Sequence, residues 1–181
     1  MSKTYKLIML DRDGVINEDS ADYIKSPEEW IPIAGSLEAI AKLNQAGYKV
    51  VVVSNQSGIA RGYFTEETLQ LMHEKMRREL EKFGGFIDYI YYCPHHPDEN
   101  CECRKPKPKM VLEVLRKFQV RPQEVLLIGD SWADVQLAKN VGCDFILVKT
   151  GKGVKTIAEH KNELEKIPIF DNLAAAVEGI I

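Results

Sequence analysis

Two carboxylates, Asp11 and Asp13, close the apolar run Leu7-Ile8-Met9-Leu10, and Gly14 stands directly behind them. In extended chain alternate side chains share a face, so both acids start out on one side. At ~4 Å and an effective dielectric of ~20 they repel by roughly 4 kcal/mol. A fold keeps such a pair where a cation sits between the acids, or where one carboxyl holds a proton for chemistry. A second cluster is Cys93-Pro94-His95-His96, followed by Cys101-Glu102-Cys103. Its C-x-H and C-x-C halves offer three thiolates and one imidazole, the donor set of a closed tetrahedral zinc site. His95 and His96 compete for the imidazole position. The fourth cysteine, Cys143, stands apart and reads as a small core residue.

The elements that must hold these groups alternate in type. Short apolar runs at 6–10, 49–54, 87–92, 124–129 and 145–148 read as buried strands. Amphipathic stretches at 37–46, 65–83, 109–118 and 133–141 read as helices; Thr65 with Glu66 and Glu67 caps the second, and Gly84-Gly85 stops it. That alternation predicts an α/β doubly wound parallel sheet, one domain over 1–181, with a loop at 93–105 for the zinc. Ligands of such sheets bind beyond the carboxyl ends of the strands. Those ends carry Asp11, then Ser54-Asn55-Gln56-Ser57, then the cysteine loop with Arg104-Lys105, then Gly129-Asp130-Ser131.

The chain has 181 residues, is 45% hydrophobic and 28% charged, and carries a formal net charge of −3. With no basic block, neither nucleic acid nor a membrane surface is the expected partner. The apolar stretch after Met1-Ser2-Lys3-Thr4-Tyr5-Lys6 is too short for a signal peptide or a span, so a cytoplasmic monomer is expected. Clustered cysteines without an export signal read as metal ligands rather than disulfides.

Taken in order, Asp11-Arg12-Asp13-Gly14-Val15, Ser54, Lys105 and Gly129-Asp130-Ser131-Trp132-Ala133-Asp134 resemble the four motifs of the haloacid dehalogenase superfamily of aspartate-nucleophile phosphatases. The resemblance implies that Asp11 attacks phosphorus and that Asp13 moves the proton. Ser54 and Lys105 would hold the phosphoryl group. Mg²⁺ would be held by Asp11, Asp130 and the backbone carbonyl of Asp13. The cysteine loop, with C-x-C-R-K-P and S-N-Q-S-G-I-A-R-G, is similar to the heptose 1,7-bisphosphate phosphatases, with the histidinol-phosphate phosphatases as the alternative. In these families Cys93, His95, Cys101 and Cys103 take a structural Zn²⁺.

That likeness implies a small phosphorylated sugar as substrate and loss of its 7-phosphate to leave heptose 1-phosphate. Arg12, Asp19, Asp22, Asn55, Gln56, Ser57 and Arg104 would contact the substrate. The short insertion after Asp13 implies a minimal cap. Ser131 departs from the lysine often found there in heptose enzymes. A zinc-loop protein that binds phosphorylated ligands without turning them over is the reading from another class, and the Asp11–Asp13 pair argues against it.

Asp134 reads either as a dipole-stabilised acid of a first helical turn or as an outer contact of the metal. His73, with no second histidine one turn on, reads as an exposed helix residue. Lys149-Thr150-Gly151-Lys152-Gly153 looks phosphate-binding but lacks the first glycine of a P-loop.

Overall fold

The computed structural model describes residues 5–181; residues 1–4, part of the stretch read as too short for a signal peptide, lie outside them. Six parallel strands form one sheet in the order β3-β2-β1-β4-β5-β6. They are β1 (Leu7–Leu10), β2 (Lys49–Asn55), β3 (Tyr89–Cys93), β4 (Val125–Gly129), β5 (Asp144–Val148) and β6 (Ile169–Phe170). The helices are α1 (Ser36–Gln45), α2 (Glu66–Glu81), α3 (Lys109–Phe118), α4 (Trp132–Val141), α5 (Gly153–Glu159) and α6 (Leu173–Glu178).

Period-two alternation divides the core. Ile8, Leu10, Val50, Val52, Leu126 and Ile128 face α1, α2 and α6, while Leu7, Met9, Val51, Val53, Val125 and Leu127 face α3 and α4. All four residues of β1 are fully buried, because the sheet is covered on both sides. Each such side chain contributes roughly 1.5–3 kcal/mol.

The expected helices are present within two residues at each end. Thr65 caps α2 by accepting from the Thr68 N–H at 3.2 Å, and Gly84 follows with φ +73°. One strand shifts: β3 begins at Tyr89 rather than residue 87. Asp88 is taken up by its neighbour, accepting from the Val50 N–H at 2.9 Å, and the ladder starts at Tyr89 opposite Val51. The pattern also missed β6, α5 and α6, which are two, seven and six residues long. Segments that short show no resolvable periodicity.

Between β1 and α1 the chain forms only turns and two isolated bridges, Asp13 to Asn17 and Asn17 to Pro32, so the insertion carries no helix of its own. Among the described residues no helix is long and apolar enough to cross a membrane.

Candidate active site

The strand order turns back on itself at β1: β2 and β3 lie to one side, β4 to β6 to the other. Adjacent loops diverge at such a switch point and leave a crevice at the carboxyl edge. Asp11 leaves β1 there, and Asp130 leaves β4. A cavity of about 510 Å³ opens on this edge, lined among others by Asp11, Asp13, Asp130, Arg104 and Lys105.

Lys105 is the hub. Its ammonium, 2% exposed, reaches Asp11 Oδ1 at 3.0 Å and Asp134 Oδ1 at 2.7 Å, and it donates to the Val53 carbonyl at 3.0 Å. Burial alone would favour the neutral amine. The two carboxylates overcome it and hold the proton well above the usual lysine range. Asn55 clamps the Lys105 backbone from both sides, accepting from its N–H at 3.0 Å and donating to its carbonyl at 3.3 Å.

Asp134 does lie in the first turn of α4, as its position suggested, and it also sits beside Asp11 and Asp130. Its Oδ1 is committed to Lys105, and its Oδ2 accepts from the Ser131 hydroxyl at 2.7 Å, closing the α4 cap. Burial pushes its proton affinity up, but Lys105 and Ser131 bring it below the ordinary carboxylate range.

The remaining acids are strained electrostatically. Burial raises Asp11 most, Lys105 opposes, and Asp134, Asp130 and Asp13 add to the rise. Asp130 is pushed up to about 7 by burial and Asp134. Oxygens of Asp11, Asp130 and Asp134 lie within 4.8 Å of one another. With both Asp134 oxygens spoken for, Asp11 and Asp130 are the carboxylates free to hold a hard divalent cation, which suits Mg²⁺.

Two glycines press on Asp130. A Cβ on either Gly14 (φ +84°) or Gly151 (φ +57°) would run into its Oδ2. The Lys152 N–H donates to that oxygen at 2.7 Å, and Thr150 Oγ1 donates to the Gly14 carbonyl at 2.6 Å. The Lys149–Gly153 motif thus wraps the acid at the end of β4.

Asp13 lies in a different setting. Arg12 Nε donates to its Oδ1 at 3.0 Å, Asn17 Nδ2 to the same oxygen at 2.8 Å, and Gln56 Nε2 to its Oδ2 at 3.1 Å. Burial raises it, yet these donors, Arg12 foremost, bring it below its ordinary value. Its carboxylate is not among the clustered oxygens of Asp11, Asp130 and Asp134 and is held by these donors instead, so the backbone carbonyl is the atom it would offer a metal.

Of the other residues expected at the substrate, Asp19, Asn55, Gln56, Ser57 and Arg104 line the cavity. Arg12 and Asp22 do not. Arg12 is fully buried beneath the floor, tied to Asp13 and Gln56, and so orients other groups rather than meeting a ligand. Asp22 is exposed in its loop, with its carbonyl accepting from Lys25 Nζ. Ser54 is almost fully buried at the end of β2, its hydroxyl accepting from Gln56 Nε2 at 3.4 Å.

His73 corrects an expectation. It is 2% exposed, and burial followed by Arg12 lowers it to about 3, so it is neutral. Leu69, Met72, His73, Met76 and Leu80 are the buried residues of α2, and that spacing was the available signal. Tyr23 ends the 19–23 loop, which on the family likeness would face the sugar. It lines the cavity at φ +66°, with its ring 5.1 Å from Tyr63.

The zinc donors converge beyond β3. Sulfurs of Cys93, Cys101 and Cys103 lie 3.1–3.7 Å apart, and His95 Nδ1 is 3.2 Å from Cys103 Sγ and 3.5 Å from Cys93 Sγ. No disulfide joins the cysteines. A tetrahedron of ligands at Zn–S ≈ 2.3 Å has edges of roughly 3.8 Å, so the cluster is the right size. His96 serves elsewhere. It caps a single 3₁₀ turn, Pro97–Glu99, through Nδ1 accepting from the Asp98 N–H at 3.2 Å. Arg104 and Lys105 follow Cys103 directly, so whatever fixes the loop also aims them.

The HAD-hydrolase-like family model matches residues 102–176. The D-glycero-beta-D-manno-heptose-1,7-bisphosphate 7-phosphatase of Pseudomonas putida is 50% identical over 176 residues, covering 97% of this chain and 99% of its own. That of Neisseria meningitidis serogroup A is 51% identical over 169 residues, covering 93% and 90%. A crystal structure of D,D-heptose 1,7-bisphosphate phosphatase from B. bronchiseptica, complexed with magnesium and phosphate, has a TM-score of 0.93 at 48% identity, covering 97% of each chain. With about half of all residues shared along almost the whole length, the chain belongs to the D-glycero-beta-D-manno-heptose-1,7-bisphosphate 7-phosphatase family of HAD-like hydrolases.

Proposed function

We infer that this chain is a magnesium-dependent phosphatase that takes the 7-phosphate from D-glycero-D-manno-heptose 1,7-bisphosphate and leaves heptose 1-phosphate. The observation that carries the reading is the meeting of Asp11, Asp13, Lys105 and Asp130 at one strand-order reversal in a chain half identical to those phosphatases. Phosphate monoesters hydrolyse so slowly that enzymes accelerate the reaction up to ~10²¹-fold. A carboxylate nucleophile divides it into two easier displacements.

Asp11 attacks the phosphorus, the bond to the sugar oxygen breaks, and Asp13 gives that oxygen its proton. Asp13 then takes a proton from water, which releases phosphate from Asp11 and restores the carboxylate. The low proton affinity of Asp13 before substrate arrives suits the base half of this role and opposes the acid half. A phosphate dianion beside it raises that affinity at the moment a proton is needed. Mg²⁺ held by Asp11 and Asp130 supplies charge neutralisation for the transferring group. Lys105 adds a fixed positive charge there, and Ser54 and Asn55 hold the strand end that faces it. Zn²⁺ in the Cys93–Cys103 loop is structural, since four protein ligands leave no open position. The cavity lining named here comes from one chain, in keeping with a monomer acting on a small phosphorylated sugar, and a cytoplasmic location belongs to the same reading.

The test is phosphate release from heptose 1,7-bisphosphate and histidinol phosphate side by side, with Asp11→Asn as control. The bisphosphate should be turned over far faster, and the variant should lose at least ~10³-fold in kcat while keeping its fold. Equal or faster hydrolysis of histidinol phosphate sinks the substrate assignment. Residual activity near that of the parent chain sinks the covalent mechanism.

A further inference from the structure

We propose that the side chains of Lys152 and Lys155 form the seat for the phosphate that is not removed, so that this chain selects bisphosphates over monophosphates. The proposal rests on the bisphosphatase reading above and names the groups that recognise the far end of the substrate.

The cavity is lined by four cations, Arg104, Lys105, Lys152 and Lys155, and they are not equivalent. Lys105 is spent on Asp11 and Asp134 at the reacting end. The two lysines of the α5 segment are loosely held. Lys152 Nζ is 4.0 Å from Asp19, and Lys155 Nζ is 3.8 Å from Glu159. Their side chains are 66% and 75% exposed, free to swing toward a ligand. Three positions apart at the start of α5, they stand on the same side of that turn. Arg104 lines the cavity as well, and its Nη1 is buried without a hydrogen-bond partner. The cavity cations without a close internal ion pair are therefore Arg104, Lys152 and Lys155.

The motif around Lys152 had the look of a phosphate loop, and the structure rules out the usual way such a loop works. Gly151 packs on Asp130 and Gly153 on the Val148 carbonyl, and the Lys152 N–H is already donated to Asp130. The amides of Lys152 and Gly153 are thus committed, the second to the Thr150 carbonyl, and the flexible ammonium groups are the cations this segment presents to an anion. A sugar bisphosphate anchored at its reacting phosphate by the strand-end groups presents a second dianion at its opposite end. Binding energy gathered there, remote from the scissile bond, favours the doubly charged substrate.

Kinetics of the double variant Lys152→Ala/Lys155→Ala on two substrates, heptose 1,7-bisphosphate and p-nitrophenyl phosphate, test this. Each substitution keeps the backbone N–H on Asp130. For the bisphosphate, kcat/KM should fall roughly 10- to 100-fold, chiefly through KM. For p-nitrophenyl phosphate it should change less than about twofold, and Lys152→Arg/Lys155→Arg should retain most of the bisphosphate activity. An unchanged kcat/KM on the bisphosphate overturns the seat while leaving the bisphosphatase reading intact, as does an equal loss on both substrates. A parent chain that ignores the bisphosphate overturns both.

Discussion

Among the described residues two clusters of side chains could hold a metal ion, and they are built on opposite principles. The carboxylates at the switch point grow from the ends of β1 and β4, strands with fully buried side chains and ladder bonds on both sides. Their charges are balanced from within by Lys105 and Arg12, and Asn17 and Gln56 donate hydrogen bonds to Asp13. The thiol cluster shares one anchor with the sheet, Cys93 at the end of β3, while its other donors sit in a loop whose only regular structure is one 3₁₀ turn. The first site is shaped by packing and can keep its geometry without a cation; the second has little besides a metal to hold it. Lys105 belongs to both, since it follows the thiol loop and ends in the acid cluster. The comparison teaches where each kind of damage should spread.

The largest effect should come from breaking the shared member. Lys105→Met leaves Asp11 and Asp134 buried without their cation, a loss of about 3–5 kcal/mol in stability together with near-complete loss of turnover. Urea unfolding checks the first and phosphate release the second. Adding Asp134→Asn to that variant should recover part of the stability and none of the activity. If Lys105→Met unfolds at the parent's midpoint, the acid end is not balanced by packed charges as described.

Removing zinc should act on the loop alone. Structural zinc contributes roughly 10–16 kcal/mol to ordering a peptide of its own. After chelation, amide exchange should rise across residues 93–105 and stay low in β1 and β4. Activity should fall because Arg104 and Lys105 lose their aim, and it should return with zinc. Exchange that rises equally in the sheet would abolish the contrast between the two clusters.

The smallest effect concerns the floor under Asp13. His73 is held at about 3 in the folded chain against an ordinary 6.5. Above pH 6.5 it is neutral in both states and contributes nothing to the pH dependence. As pH falls below that, the unfolded chain takes up a proton that the folded chain refuses, so stability is lost, by about 2 kcal/mol at pH 5. His73→Leu should flatten the stability profile between pH 6.5 and 5. A profile identical to the parent's would mean that the imidazole is not enclosed beside Arg12.

Much of this was legible because the signals were local. Asp11 and Asp13 end an apolar run, and two carboxylates at that spacing need a cation or a proton whatever surrounds them. The cysteine spacing needs only a loop long enough to close on itself. Strands with both faces apolar announce a sheet covered on both sides. The helix period of α2 would also have placed His73 inside had it been followed through Leu69, Met76 and Leu80. β6, α5 and α6 were out of reach, being too short for a period and held by the edges they pack against.

By itself the sequence determined the alternation of strands and helices, the strand ends at which chemistry could occur, and the two donor sets. These depend on neighbours along the chain, where spacing is geometry. Only the tertiary structure decided how the charges divide. It gave both oxygens of Asp134 to Lys105 and Ser131, turned Arg12 beneath the floor, and folded Gly151 against Asp130. It also brought Lys152 and Lys155 to the mouth of a cavity begun far earlier in the chain. Electrostatic pairing falls off with distance through space, and residues remote in sequence acquire that distance only when the sheet has closed.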